Sequence, residues 1–340
     1  MRRTMRKLGT LIIVVTVLLA TQTAHSQATM SITDLGTLGG VSSGADGINN
    51  RGQVVGTSRT ASGENHAFLW TKRGGMVDLG TLGAGGWGSS AYAINNRGQV
   101  VGHTTTASGE GHAFLWTKEG GMVDLGTLVG GWRSSALDIN DRGQVVGNSY
   151  TASGERHAFL WTEKGGMVDL GTLGGGNSSA LDINDRGQVV GRSTTASGEG
   201  HAFLWTKEGG MVDLGTLVGG WRSYAAGVNN RGQVVGYSRT ASGEGHAFLW
   251  TEKGGMVDLG TLGGGNSYAR DINDRGQVVG YAATSPYNYH AFIWTEKGGM
   301  VDLGTLGGSD SRADAINNRG QVVGYSTTAS DEGRACLWTK

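Results

Sequence analysis

The residues best suited to chemistry in this chain are six histidines that recur in the same local setting: His66, His112, His157, His201, His246 and His290. A glutamate often stands two positions earlier, as at Glu64, Glu110 and Glu199. A histidine beside a carboxylate could act in acid–base catalysis or hold a metal. A second pattern, Asp182-Ile183-Asn184-Asp185-Arg186-Gly187, places acids in alternation before a glycine, as calcium loops do. The copies at 93–98 and 227–232 replace the first Asp with Ala93 and Gly227, and Arg always precedes the glycine. That reads as a hairpin turn, with Asn49, Asn95, Asn140, Asn184, Asn229, Asn273 and Asn317 fixing it through side-chain bonds to the backbone. Paired carboxylates, a nucleophile elbow and a phosphate-cradling loop ahead of a helix are all missing from the pattern. The expectation is no catalytic residue, no metal and no cofactor.

The elements that must position these residues are repeats. Asp-Leu-Gly-Thr-Leu begins at Asp34, Asp78, Asp124, Asp169, Asp213, Asp258 and Asp302, at spacings of 44 to 46 residues. Each unit also holds Arg-Gly-Gln-Val-Val-Gly and a segment usually reading His-Ala-Phe-Leu-Trp, which contains all six phenylalanines. The unit from 179 to 217 reads as four short strands, Ser179–Asn184, Gln188–Thr194, His201–Thr206 and Met211–Leu217, separated by Gly-rich or polar turns. No segment shows helical spacing of apolar residues. Four strands in about 45 residues is the blade size of a β-propeller. A lone fourth strand (31–38) opens the repeat region and a third strand (334–339) ends it. The expected fold is therefore all-β: a seven-bladed β-propeller of four-stranded blades, its ring closed by the N-terminal strand completing the last blade. A solenoid would instead need polar end caps, which the pattern lacks.

This geometry bears on the histidines. A third strand lies about 17 Å from the axis, at an inner radius of about 7 Å plus two strand spacings of about 4.8 Å, so histidines of neighbouring blades stand roughly 15 Å apart. Zinc binds nitrogen at about 2 Å. The expected role is structural, a bond to a Ser or Thr of the second strand or to the preceding loop, with ligand contact or a metal as the alternatives.

Because the repeats are nearly identical, their departures from consensus are the informative positions. The loops from strand four to the next strand one share a face with the loops from strand two to three. Three of the former carry an extra tryptophan: Gly86-Trp87-Gly88, Gly131-Trp132-Arg133 and Gly220-Trp221-Arg222. In the sixth unit Ser285-Pro286-Tyr287-Asn288-Tyr289 replaces a Ser-Gly-Glu loop. Aromatic rings on such loops can lie against a sugar or anchor a protein; the alternative is that each Trp plugs a gap between blade tops. Trp87, Trp132, Arg133, Trp221, Arg222, Tyr287 and Tyr289 are the expected ligand-binding residues.

Residues 1–26 combine Arg2, Arg3, Arg6 and Lys7 with an apolar run from Leu8 to Ala20 and a small-residue exit. They read as a secretory signal peptide cleaved after Ser26, or after Ala28, leaving a single seven-repeat domain at 27–340. The run is too short for a membrane anchor. Basic and acidic side chains number 28 each, and loss of the leader leaves 24 against 28. A mildly acidic chain is a poor phosphate-backbone binder, so nucleic acid is an unfavoured partner. One cysteine, Cys336, excludes an intrachain disulfide. With 64 glycines and 37% apolar residues, stability must come from packing.

The recurring His-Ala-Phe, with Gly-Gln-Val-Val-Gly before it and Asp-Leu-Gly-Thr-Leu after it, resembles the bacterial HAF family of extracellular repeat proteins over residues 34–338. The last unit departs, reading Arg334-Ala335-Cys336-Leu337-Trp338. The resemblance implies an exported repeat protein, secreted or periplasmic, and supplies no reaction or ligand. The combined expectation is a monomeric, non-enzymatic binding module with a glycan or cell-envelope polymer as ligand. The alternatives are a protein–protein interaction scaffold and, behind it, an extracellular polysaccharide hydrolase or lyase.

Overall fold

A computed structural model of the chain describes residues 30–83 and 88–340. The expected signal peptide and Trp87 lie outside them. Among the described residues no helix is long and apolar enough to cross a membrane. The chain forms seven four-stranded antiparallel sheets, a seven-bladed β-propeller. Six blades are continuous in sequence: 39–78, 89–124, 134–169, 174–213, 223–258 and 267–302. Blade 7 combines residues 307–339 with the N-terminal strand Ser31–Asp34.

Blade 4 shows how the repeat writes its strands: Gly174–Ile183, Val189–Thr195, Gly200–Thr206 and Gly210–Asp213 from the axis outwards. The first turn is set by Asn184. Its Oδ1 accepts the N–H groups of Arg186 and Gln188, each at 3.0 Å, while Gly187 supplies the left-handed corner at φ 81°. Strand two follows with Val189-Val190, both fully buried. Successive residues of a strand face opposite sides, so Val189 packs towards blade 3 with Ala180 and Phe203, and Val190 towards blade 5 with Ala225 and Phe248. A doubled valine is what a strand buried on both faces requires.

The fourth strand is shorter than the sequence predicts, ending at Asp213 and not Leu217. Asp213 Oδ1 accepts the Gly215 N–H at 2.7 Å and turns the chain out of the sheet. Leu217 N–H then bonds to Ser238 of blade 5 at 2.9 Å, and Ser223 at the start of that blade accepts the Ala202 N–H of blade 4 at 2.8 Å. Asp-Leu-Gly-Thr-Leu is thus a strand end plus the strap to the next blade. The N-terminal strand is shortened likewise, to Ser31–Asp34.

The ring closes as expected: Ser31, Ile32, Thr33 and Asp34 pair with Thr339, Trp338, Leu337 and Cys336. Cys336 occupies the buried site of the other blades' phenylalanines. Trp338, fully buried under Met30 and Ile32, donates from Nε1 to the Leu303 carbonyl at 3.0 Å. A second closure, which the sequence did not reveal, runs round the axis. Each asparagine of the first turn donates from Nδ2 to the carbonyl of the equivalent asparagine in the next blade, at 2.9–3.0 Å, from Asn49 to Asn95 and on to Asn317, which returns to Asn49.

Candidate functional site in the axial channel

The seven inner strands enclose a channel, and each carries one β-bulge directly after a fully buried alanine. A bulge inserts an unpaired residue and re-aims its side chain. The seven bulge residues are Asp46, Tyr92, Leu137, Leu181, Ala226, Arg270 and Asp314, and all line one chamber of about 570 Å³ at the upper part of the channel. Strand two makes room for the bulge with the last glycine of Arg-Gly-Gln-Val-Val-Gly. A Cβ on Gly191 would run into the Ser179 carbonyl oxygen.

Divergence is concentrated here. Below the bulge the repeats keep Ile or Val and then Asn. Just above the alanine, the cross-strand pairs are Gly44–Thr57, Ser90–His103, Ser135–Asn148, Ser179–Arg192, Tyr224–Tyr237, Tyr268–Tyr281 and Arg312–Tyr325. Blades 5 and 6 thereby build an aromatic wall. Tyr224 stacks on Tyr237 at 5.4 Å between centroids, Tyr237 meets Tyr268 edge-on at 5.0 Å, Tyr268 lies against Tyr281 at 5.0 Å, and Tyr289 closes on Tyr281 at 5.8 Å. Burial pushes the Tyr224, Tyr268 and Tyr281 phenols up, keeping them neutral donors.

Beside that wall, Asp314, whose side chain is 3% exposed, sits between Arg312 Nε at 2.7 Å and Arg270 Nε at 3.4 Å. Its Oδ1 has no hydrogen-bond partner. Burial, and then the charge of Asp314, raise Asp46 of the neighbouring blade to about 7. Deeper, the residues after the bulge include Asp138, Asp182 and Asp271. Each accepts a backbone N–H of the following blade: Ile183 at 2.9 Å, Val228 at 2.5 Å and Ile316 at 2.8 Å. Burial raises all three, Asp271 to about 7, and the neighbouring Asp138 raises Asp182 further. This corrects the expectation that paired carboxylates are missing. They lie 44 residues apart and meet only through the ring.

The lower end of the channel is different. A recess of about 180 Å³ is lined by Ile or Val, Asn, and Asn or Asp from every blade. Its polar groups are consumed by the asparagine ring and by a parallel ring in which, for example, Asn50 N–H bonds to Asn96 Oδ1 at 2.8 Å. The upper chamber is therefore the candidate site.

The sequence-expected residues are distributed around its mouth. Tyr289 joins the aromatic wall. Arg133 lies beside His103, and Arg222 beside Arg192, in each case over a glycine: an added Cβ on Gly111 would meet His103 Nε2 at 3.0 Å and Arg133 Nε at 3.2 Å, and one on Gly200 would meet Arg222 Nε at 3.4 Å and Arg192 Cδ at 3.5 Å. Burial and then Arg133 lower the His103 pKa. Trp132 and Trp221 stand further out, each 51% exposed; Trp132 stacks on Tyr150 at 4.5 Å and Trp221 carries the Arg222 guanidinium at 5.7 Å. Tyr287 is 88% exposed at a loop tip, away from these pairs. The bulge residues and the paired tyrosines were missed. Their signal was present, since they are the positions at which otherwise matching repeats disagree.

The repeated histidines find a partner other than the expected one. His201 Nδ1 bonds to Asp213 Oδ2 of the fourth strand at 2.7 Å, and the other five pair alike at 2.6–2.8 Å. In blade 7, Arg334 replaces the histidine and faces Glu332 at 2.7 Å and Asp34 at 3.6 Å. Each pair ties strand three to the end of strand four. Among the described residues no group of three or more His, Cys, Asp or Glu is placed to hold a metal ion.

Comparison with known proteins agrees on the fold. The model of a family described as a protein of unknown function, DUF3466, matches residues 131–262, less than half of the chain. No curated protein matches it. The β-propeller domain of the Trilobed protease from Pyrococcus furiosus aligns over 92% of this chain and 96% of its own, at 12% identity and a TM-score of 0.56. The lectin BP39L from Burkholderia pseudomallei aligns over 92% of this chain and 98% of its own, at 8% identity and a TM-score of 0.51. The acylaminoacyl peptidase of Pyrococcus horikoshii aligns over 87% of this chain and 51% of its own, at 10% identity and a TM-score of 0.54. At such identities the likeness is one of fold, and the fold hosts unrelated functions.

Proposed function

We propose that this chain is an exported, non-enzymatic binding module of HAF type that takes a glycan or cell-envelope polymer into the upper chamber. The observation that carries the reading is the placement of divergence. Repeats that share their strand and turn motifs disagree at the seven bulge residues and at the cross-strand pairs above them, and again in the rim loops that carry Trp132 and Trp221. The outcome is an asymmetric mouth with stacked phenols on one side and guanidinium and carboxylate groups on the other. Tyrosine faces suit the C–H face of a sugar ring, and paired Arg and Asp suit its hydroxyls. Arg133, Arg222 and Tyr289 extend the chamber to the rim, where Trp132 and Trp221 offer further stacking.

Catalysis is not part of this reading. The carboxyl pair Asp138–Asp182 is tied to backbone N–H groups of the next blades, which suits bracing of the ring. The test is retention on an array of glycans and cell-envelope polymers. The protein is expected to bind, and Tyr268→Ala/Tyr281→Ala with unchanged circular dichroism is expected to lose binding. Full retention by that variant would sink the reading, and turnover of any arrayed polymer would sink its non-enzymatic part.

One observation favours a second reading. Val129 and Val218, each 97% exposed, stand beside Trp132 and Trp221 in two matching rim loops, an apolar display suited to a protein partner. Saturable binding to a protein, abolished by Val129→Ser/Val218→Ser and without glycan retention, would favour it.

A further inference from the structure

Resting on the glycan reading of the chamber, we infer that the bound unit is the end of an acidic saccharide, its carboxylate held by Arg156 and Arg192. The hydrogen-bonding capacity of the chamber is lopsided. Four of its five acids are engaged by the protein: Asp314 by Arg270 and Arg312, and Asp138, Asp182 and Asp271 by backbone N–H groups of the next blade, which leaves Asp46. Its cations are not all so engaged. The arginines paired with a carboxylate among the described residues are Arg270, Arg312 and Arg334. Arg156 and Arg192 line the chamber half-buried and, among the described residues, have no acid within ion-pair reach.

Arg156, Arg192 and Arg270 line the same chamber as Tyr224, the end of the aromatic wall. Arg222 approaches Arg192 across Gly200, adding a cation at the rim. Half-buried guanidiniums without a counter-ion are matched by a planar anion, which a carboxylate can meet with two parallel hydrogen bonds. Asp46 lines the same chamber and can meet a sugar hydroxyl, as acceptor or, when protonated, as donor. Anion on one side, hydroxyl on the other and an apolar face against tyrosines describe a sugar acid.

The geometry also assigns the mode of entry. Ile48 and Ile94 line both the upper chamber and the lower recess, and their counterparts complete an apolar collar above the asparagine ring. A polar chain does not thread such a collar, so it enters from the upper mouth and presents its end. A chamber of about 570 Å³ is of the size that binds small ligands.

The test compares an oligogalacturonate with its carboxyl-reduced counterpart of the same length and linkage, by calorimetry on the purified protein. The wild type is expected to bind the acidic chain at least tenfold more tightly, with affinity falling as salt rises. Arg156→Gln/Arg192→Gln, checked by thermal melting, is expected to bring the ratio of the two affinities close to one. Equal binding of both chains by the wild type, or an unchanged ratio in the variant, overturns the carboxylate assignment and leaves glycan binding standing. Binding of neither chain overturns both. If the double variant does not fold, the salt titration of the wild type decides: a salt-independent preference overturns the assignment.

Discussion

At the lower end of the inner strands, seven asparagines repeat one arrangement, each with both side-chain atoms bonded to its own turn and to the next blade. Three residues higher, the same strands present Asp46, Tyr92, Leu137, Leu181, Ala226, Arg270 and Asp314. Both sets face the axis. At the asparagine end each residue bonds to a copy of itself, so a change in one blade breaks a ring that six others complete. A bulge residue is unpaired by construction and faces open space, so it can change without disturbing the ladder. The fold thus separates the part of the channel that holds the ring together from the part free to acquire a ligand.

The sharpest way to break this contrast is to damage the lower ring. Asn184→Ala strips acceptors from two N–H groups and a donor from the Asn229 carbonyl, all at a buried turn. A loss of about 2–4 kcal/mol is expected in denaturant unfolding. Saccharide affinity, measured where the variant is folded, should change less than twofold. A variant of wild-type stability would mean that the asparagine ring is decorative.

The upper chamber should declare itself through pH. Asp46 and Asp271 have pKa values of about 7 in the folded state against 3.8 without the fold, burial being the main cause. The folded protein therefore holds protons that the unfolded chain releases. The stability these groups contribute is fully present below pH 4 and is lost as pH rises through 7, opposite in sign to a salt-bridged carboxylate. A decline on the order of 2 kcal/mol per group between pH 4 and 8 is expected, allowing for water in the chamber. Asp46→Asn should flatten its share of the slope in urea titrations at stepped pH. An unchanged slope would place Asp46 in ordinary solvent.

A smaller effect separates the histidines from both ends. His201→Ala removes one tie between strand three and strand four, a partly exposed bond whose loss should cost about 1 kcal/mol in thermal or urea unfolding. It lies outside the chamber lining, so acidic-saccharide affinity should be unchanged. A change in affinity would bring the His–Asp pairs into the site.

Much of this was legible in the sequence for a physical reason: a repeat repeats its environment. The Val-Val doublet, the Asn-x-x-Gly turn and the short termini each have one structural solution, and the blades, turns and ring closure follow from them. The fourth strand was overread because Leu-Gly-Thr-Leu alternates like a strand while its hydrogen bonds go to the next blade. The repeats disagree at the chamber positions, but that signal could not be placed on the axis because a bulge itself leaves no residue signature. Asp46 or Arg270 reads as one more position of an alternating strand until the register shift turns it to the axis. The partner of His201 was missed for a related reason: Asp213 pairs with Phe203, and so comes within reach of His201, only once the third hairpin sets its register.

The rim tryptophans provide the finest comparison, because their aromatic rings stand on the same face as the tyrosine wall but in another environment. Trp132 lies on Tyr150 and remains half exposed. Trp132→Ala therefore loses one stacked pair, about 0.5–1.5 kcal/mol at most, and less where water already reaches the ring. In Trp132→Ala/Trp221→Ala the melting temperature should move by a few degrees, and saccharide affinity should fall by about threefold, since these rings touch only what extends beyond the chamber. The aromatic-wall variant Tyr268→Ala/Tyr281→Ala should lose tenfold or more. The reverse order, with the tryptophan variant losing binding and the tyrosine variant keeping it, would move the site from the bulges to the loops. The divergence of the inner strands would then require another explanation.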